Sequence, residues 1–359
     1  MQLRELWLTD WRSYASAELG FAPGLTALLG DNGEGKTNLM EAVAYLATLS
    51  SFRGAPNEAL VRHGAELAVV RAEGERDGRA LLIEAEVRPT GRGRVQVNRQ
   101  RLSRARDLLG ALRVTVFSPD DLELVKGGPA GRRRYLDDAL VARQPKLDAL
   151  RSELDRVLRQ RNALLRQAGG RLTPEIEATL VVWDAKLTEA GEALAAARAG
   201  LVEELAPVLA EAYDQVAGRS AAVRAGYVAP WREEGLAAAL VGVRRDELRR
   251  GISLVGPHRD ELELVLDAMP ARTHASQGEQ RSLALALRLA AHRVVTEATG
   301  SPPILLLDDV FSELDPDRGA ALLAHLPAGQ TLLSSASGLP PGAEPELVLR
   351  IRGGEVAPV

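Results

Sequence analysis

The stretch Gly30-Asp31-Asn32-Gly33-Glu34-Gly35-Lys36-Thr37 constrains the fold more than any other. It fits G-x-x-x-x-G-K-[ST], a loop whose backbone N–H groups cradle phosphates. Leu25 to Leu29 before it is an apolar run of strand length. After it, Leu39, Met40, Val43, Ala44, Leu46 and Ala47 recur at helical spacing. A strand, a glycine loop and a helix in that order form the context the motif needs, which a chance glycine-rich turn would lack. Lys36 is expected to reach the β- and γ-phosphates of a nucleotide, and Thr37 to offer its hydroxyl to Mg²⁺. The N-terminus of the helix adds partial positive charge for the anion.

Composition narrows the field. The chain has 359 residues, 46% hydrophobic and 26% charged, enough for one large domain or two. Its net charge is −4, so nucleic-acid binding has to come from local patches. With no cysteine, disulfides, thiolate zinc sites and a cysteine nucleophile are excluded. The first residues lack a basic segment followed by an apolar one, and no apolar run approaches the roughly 18 residues that cross a bilayer. The cytosol is the expected compartment, with no membrane partner. Lysine occurs only at 36, 126, 146 and 186, every other base being arginine.

Along the chain, Leu3 to Leu8 reads as a strand, with Leu6 and Leu8 on one face and Trp7 on the other. Arg12 stands in the turn that follows, either within reach of nucleotide phosphate or as a solvated turn arginine. Leu67–Ala72, Ala80–Val87 and Arg94–Val97 read as strands separated by glycine-rich turns. Arg92, Arg94, Arg99 and Arg101 crowd this β-rich part, either as a solvated face or as contacts to DNA phosphate. Val114-Thr115-Val116-Phe117 is a further buried strand. From about 130 to 216 the pattern is helical, with breaks at Gly169-Gly170 and Thr173-Pro174, a helix from about 175 toward 199 and another to about 216. Arg132-Arg133-Arg134 lies at the root of this insertion as a further candidate for DNA. Residues 221–228 and 261–266 return to strand composition around a helix from Glu233 to Arg250. Gly256-Pro257-His258-Arg259-Asp260 is a turn rich in reactive side chains.

A second constellation lies far from the first. Ser276-Gln277-Gly278-Glu279-Gln280 opens an amphipathic helix. Ser276 and Glu279 form a capping box, and Ser-x-Gly-x-Gln at a helix start resembles the signature of ATP-binding-cassette ATPases. Ile304-Leu305-Leu306-Leu307-Asp308-Asp309 is a buried strand ending in two carboxylates, the Walker B pattern. Asp308 is expected to hold Mg²⁺ and Asp309 to orient or deprotonate the attacking water. Ser312-Glu313-Leu314-Asp315 resembles the loop by which such ATPases meet across a dimer, and Asp315-Pro316 is also a helix cap followed by proline. Ser334-Ser335 ends the next strand where many cassette ATPases carry a histidine, so a γ-phosphate contact from that point falls to a serine or is absent.

These motifs in order resemble the RecF family of recombination mediators, related to structural-maintenance-of-chromosomes and Rad50-type ATPases. Asp10 to Tyr14, Gly30 to Thr37, Ser51-Phe52-Arg53-Gly54, Phe117 to Leu122, Arg132 to Asp137, Gly256 to Asp260, Ser276 to Gln280 and Leu307 to Asp315 carry the resemblance across nearly the whole chain. It implies an α/β fold: a P-loop ATPase lobe like the heads of cassette and chromosome-maintenance ATPases, with a β-rich subdomain, an inserted helical lobe and no long coiled coil. Residues 1–120 and 226–359 would form the ATPase lobe and 121–225 the insertion. The resemblance also implies ATP and Mg²⁺ as ligands, ATP-dependent homodimerisation with Ser276 and Gly278 acting on the second chain's nucleotide, DNA binding and slow hydrolysis. It further implies a role with RecO and RecR in directing RecA onto gapped DNA. An arginine clamp on DNA implies a steep salt dependence, with a log–log slope of about −0.9 per duplex phosphate neutralised. Two features depart from related heads: Asp309 stands where glutamate is usual, and no Gln-loop glutamine is found near 117–121. Other classes make different demands. A small-molecule kinase has no need of Ser276–Gln280, a transporter cassette has a shorter insertion, and a Rad50-type ATPase has a coiled coil of hundreds of residues.

Overall fold

The computed structural model describes residues 1–359. The chain divides into two compact units: Met1–Leu122, Glu211–Ser220 and Gln277–Val359 form the first, and Glu123–Ala210 and Ala221–Ser276 the second.

Two six-stranded sheets organise the first unit. One is antiparallel, in the order Tyr14–Gly20, Gln2–Trp11, Ala68–Arg76, Arg79–Val87, Val95–Val97, Gln100–Arg101. In its second strand Leu3, Leu6, Leu8 and Trp11 are buried. A register shift between Leu3 and Glu5 lets Leu3 and Leu6 share a face although strict alternation would separate them. The other sheet runs Glu355–Pro358, Leu347–Arg352, Leu25–Leu29, Thr331–Ser335, Ile304–Asp308, Val114–Phe117. Its pairings are parallel except for the antiparallel edge pair Leu347–Arg352 and Glu355–Pro358. The central strands Ile304–Asp308 and Thr331–Ser335 are buried at every position, which explains the apolar run Ile304 to Leu307.

Register decides where chemistry can occur. Asp308 pairs with Ser334, Ser335 with Leu29, and Leu307 with Phe117, so the strands end together. In open α/β sheets the ligand crevice lies beyond those carboxyl ends. The helix Lys36–Thr48 leaves one of them and is buried along most of its length. Its residues join both sheets in one core with Leu6, Trp11, Val70, Leu306 and Leu332. A helix apolar nearly all round is what a position between two sheets requires.

The second unit holds the helices Pro129–Arg143 and Asp148–Ala168, the Pro174–Ala210 portion of a helix that continues to Ala217, and the helix Leu236–Arg250. Its three-stranded sheet pairs Glu261–Leu266 with Val223–Val228 and Met269–Pro270. Two expectations are corrected here. The helix from Pro174 runs unbroken to Ala217 through Gly200 and Pro207. A helical glycine costs only about 1 kcal/mol, which the buried row Leu187, Leu194, Leu201, Leu205 and Leu209 outweighs. Where a single boundary was expected near 225, the chain touches the first unit at Glu211–Ser220, re-enters the second and rejoins the first at Gln277, because the strands around Val223 and Leu262 pair with each other within the second unit.

Buried ion pairs hold that unit together. Arg161, wholly buried, donates to Asp184 at 2.7 Å, Glu247 at 2.6 Å and Ser253 at 2.8 Å. Arg198 makes a two-point contact with Asp137 at 2.8 Å and donates to the Pro257 carbonyl. Asp260 accepts from Tyr227 at 2.5 Å and Trp231 at 2.7 Å. The turn Gly256–Asp260 is therefore anchored as framework, its reactive residues committed to neighbours within the unit. No helix of the chain is long and apolar enough to cross a membrane.

Candidate nucleotide site

The phosphate loop is shaped by close approaches. A Cβ on Gly30 would stand 2.3 Å from the Ile351 carbonyl oxygen, so only glycine fits between the loop and the neighbouring strand. Gly35 has φ +110 and a Cβ there would lie 2.8 Å from the Tyr14 hydroxyl. Lys36 is buried, and its Nζ donates to the carbonyls of Gly30 at 2.7 Å and Asp31 at 2.8 Å. Asp31, Asn32 and Gly33 are exposed, and the Glu34 carboxylate accepts from the Gly353 N–H.

The turn at residues 11–14 clamps this loop and its helix. Tyr14 donates to the Gly35 carbonyl at 3.0 Å, and burial raises its pKa well above the ordinary value, so it remains a donor. Trp11 Nε1 donates to the Asn38 carbonyl at 2.8 Å, and Asn38 donates to Ser13 at 3.0 Å. For Arg12 the sequence left open either nucleotide phosphate or a solvated turn. Its guanidinium makes a two-point ion pair, at 2.7 and 2.8 Å, with the wholly buried Glu41 of the loop helix. A buried carboxylate needs a cation, and Arg12 supplies it.

At the strand ends, Thr37 Oγ1 donates to Asp308 Oδ1 at 2.9 Å, joining motifs 271 residues apart. Ser334 Oγ donates to the same oxygen at 2.8 Å. Burial raises the pKa of Asp308, and the hydroxyls of Ser334 and Thr37 oppose that rise, as does the positive charge of Arg53. Arg53 is the residue whose role the sequence left unassigned. Its loop is fixed by Ser51, which donates to Glu41 and accepts from the Arg53 N–H at 3.1 Å. The fragment Ser51-Phe52-Arg53-Gly54 was visible, but its proximity to Asp308 was not. Asp309 follows in the left-handed region, φ 49 and ψ 28, and its buried Oδ1 has no protein hydrogen-bond partner.

The oxygen donors fit Mg²⁺. A hydroxyl and a carboxylate meet at Thr37 and Asp308, and no group of three or more His, Cys, Asp or Glu side chains converges to form a cage. Mg²⁺ takes few protein ligands and completes its shell with water and phosphate oxygens.

The signature residues stand at the start of the helix Gln277–Thr299. Ser276 and Gln277 are exposed and Gln280 is buried. Glu279 is ion-paired with Arg219. The guanidinium of Arg318 lies over Gly278, where a Cβ would meet Nη2 at 3.0 Å. Asp315 caps the helix Pro316–Ala324, accepting from the Arg318 N–H at 2.9 Å, and Ser312 is exposed in the short turn Val310–Glu313.

The arginine candidates separate into two groups. Arg92, Arg94 and Arg101 line a groove of about 1180 Å³ with Arg88, Arg104 and Arg106, floored in part by Tyr45 and Leu49 of the loop helix segment. Arg99 is exposed at the adjoining hairpin tip with φ 65. Arg132 is corrected as a DNA contact: it is buried, ion-paired with Glu261 at 2.7 and 2.8 Å, and donates to the carbonyls of Leu124 and Gly127. Arg133 donates to the Asp260 carbonyl at 2.7 Å, and only Arg134 of the three is fully exposed.

Fold and ordered motifs together define a P-loop ATPase head of the chromosome-maintenance class. The RecF/RecN/SMC N terminal domain family matches residues 2–331. The SMC head domain of Pyrococcus furiosus, solved with an extended coiled coil and bound to the C-terminal domain of ScpA, shares the fold with a TM-score of 0.58 at 17% identity, covering 100% of this chain and 96% of that one. Closer similarity narrows the class. The DNA replication and repair protein RecF of Frankia alni is 48% identical over 354 residues, 94% of this chain and 93% of that protein. The solved recombination mediator protein RecF with ATP, of the RecFOR pathway, superposes with a TM-score of 0.91 at 28% identity, covering 100% of this chain and 97% of that one. The chain belongs to the RecF family.

Proposed function

We propose that this chain is an ATP- and Mg²⁺-dependent DNA-binding ATPase of recombinational repair, which dimerises on ATP and acts with RecO and RecR in loading RecA. The observation that carries the reading is the Thr37–Asp308 contact beside the partnerless, buried Oδ1 of Asp309. Lys36 exchanges the carbonyls of Gly30 and Asp31 for β- and γ-phosphate oxygens. Thr37 and Asp308 would hold Mg²⁺, which when bound would neutralise charge developing on the phosphate oxygens as ADP leaves. Asp309 Oδ1 accepts a hydrogen bond from the attacking water and takes its proton as the oxygen bonds to the γ-phosphorus and the bond to ADP breaks. Ser276, Gly278 and the helix start at Gln277 approach the γ-phosphate of a second chain, and Ser312 to Asp315 meet that chain, so each site is complete only in the dimer.

DNA lies along the arginine groove beside Val95 and Leu102. Tyr45 and Leu49 place that groove at the far end of the helix that begins with Lys36 and Thr37, so one rigid element reaches both ligands. The family similarity and the relatives' place in replication and repair support this assignment. The test is a pair of substitutions assayed with gapped duplex DNA. Lys36→Met should abolish ATP binding and ATP-dependent DNA binding. Asp309→Asn should keep both while hydrolysis falls about 10²- to 10⁴-fold, the usual contribution of a positioned base. Wild-type turnover in Asp309→Asn would remove that residue from the role.

A further inference from the structure

Asp309 is held in a conformation that its residue type disfavours. With φ 49 it lies in the left-handed region, which non-glycine residues occupy at a cost and keep only where surrounding contacts over-determine them. Those contacts are two serine hydroxyls. Ser334, wholly buried and paired in register with Asp308, accepts from the Asp309 N–H at 3.0 Å while donating to Asp308 Oδ1 at 2.8 Å. Ser312 Oγ donates to the Asp309 carbonyl at 2.7 Å. Both backbone polar groups of the strained residue are therefore tied, one from the neighbouring strand and one from the exposed turn Val310–Glu313. Because φ and ψ fix the direction of Cβ, these two bonds aim the side chain whose Oδ1 has no partner.

We propose that Ser334 and Ser312 are positioning residues for hydrolysis, clamping Asp309 so that its free carboxylate oxygen points at the attacking water. Ser334 thus takes over a different task from the γ-phosphate contact considered for its position. Its one hydroxyl sets the metal-side carboxylate and the backbone of the reactive one together. Ser312 extends the clamp to the surface loop that ends at Asp315. Displacement of that loop by a docking chain reaches the Asp309 carbonyl through the Ser312 hydroxyl at 2.7 Å and the Ser312 N–H at 3.4 Å. The inference rests on Asp309 as the water-activating group and on the loop as a contact surface for the second chain.

The experiment is a double-mutant cycle read by single-turnover ATP hydrolysis, with ATP affinity and dimer mass measured alongside. Ser312→Ala, read at protein and ATP concentrations where the measured mass is fully dimeric, should lower the hydrolysis rate about tenfold, and Ser312→Thr, which restores the hydroxyl, should recover most of the rate. Ser334→Ala should lower it further, since it releases both carboxylate residues. In an Asp309→Asn background, Ser312→Ala should cost nothing more, which a general weakening of the fold would not reproduce. Full turnover in Ser312→Ala, or equal losses with and without Asp309, would overturn the clamp while leaving Asp309 as the base. Full turnover in Asp309→Asn would overturn both.

Discussion

At the scale of single residues, burial separates arginines of the same charge into structural and exposed ones. Arg94 and Arg132 are indistinguishable as letters in arginine-rich stretches. In the fold Arg94 stands exposed in a groove, paired there with Glu86 at 2.8 Å, and Arg132 is walled in by Glu261 and three backbone carbonyls. The motif residues Gly30 to Thr37 and Asp308 were readable because their chemistry is local and fixed in spacing. Arg12, Arg53 and Ser334 were harder because their partners, Glu41 and Asp308, are chosen by tertiary contact. His292 gives a residue-scale prediction. It lies buried on the helix Gln277–Thr299, with Nδ1 near Thr115 Oγ1 at 3.1 Å and Nε2 without a partner. Burial lowers its pKa from 6.5 to about 4, and the charge of Arg293 adds to the effect. The unfolded chain therefore binds a proton that the folded one refuses. The stability that this depressed pKa leaves intact above pH 6.5 is lost as pH falls toward 4, by about 3 kcal/mol at most. Urea unfolding across that range should show the decline, and His292→Gln should make it shallower. An unchanged slope in the variant would assign the pH dependence elsewhere.

At the scale of elements, the strand Ile304–Asp308, buried at every position, was read well because nothing polar interrupts it before Asp308. The helix Pro174–Ala217 was read as two because glycine and proline punctuate sequence more strongly than they break a helix whose apolar row is packed. The expected boundary near 225 cut through Val223–Val228 and put Glu261–Leu266 in the ATPase lobe, because pairing across so long an intervening segment leaves no local signal. The clamp of residues 11–14 on the phosphate loop makes a prediction at this scale. Tyr14→Phe deletes one of the two donors to the Gly35 carbonyl, which keeps its helical bond from the Leu39 N–H at 3.1 Å. The cost is about 1 kcal/mol, so ATP affinity by calorimetry should fall about fivefold to tenfold with the thermal midpoint nearly unchanged. Unaltered affinity would mean that the loop keeps its shape without the tyrosine.

At the scale of the whole molecule, Lys36, Thr37, Asp308 and Asp309 lie at the sheet ends, and Ser276 and Gln277 are exposed at the start of the helix Gln277–Thr299. In the proposed dimer, two chains meeting head to head would give each signature a phosphate and join two arginine grooves. That junction would let a chain of net charge −4 bind DNA. The most direct measurement is mass in solution by light scattering, with ATP and Mg²⁺, with ADP, and without nucleotide. The account predicts a monomer without nucleotide or with ADP and a dimer with ATP and Mg²⁺. A mass indifferent to nucleotide would contradict it.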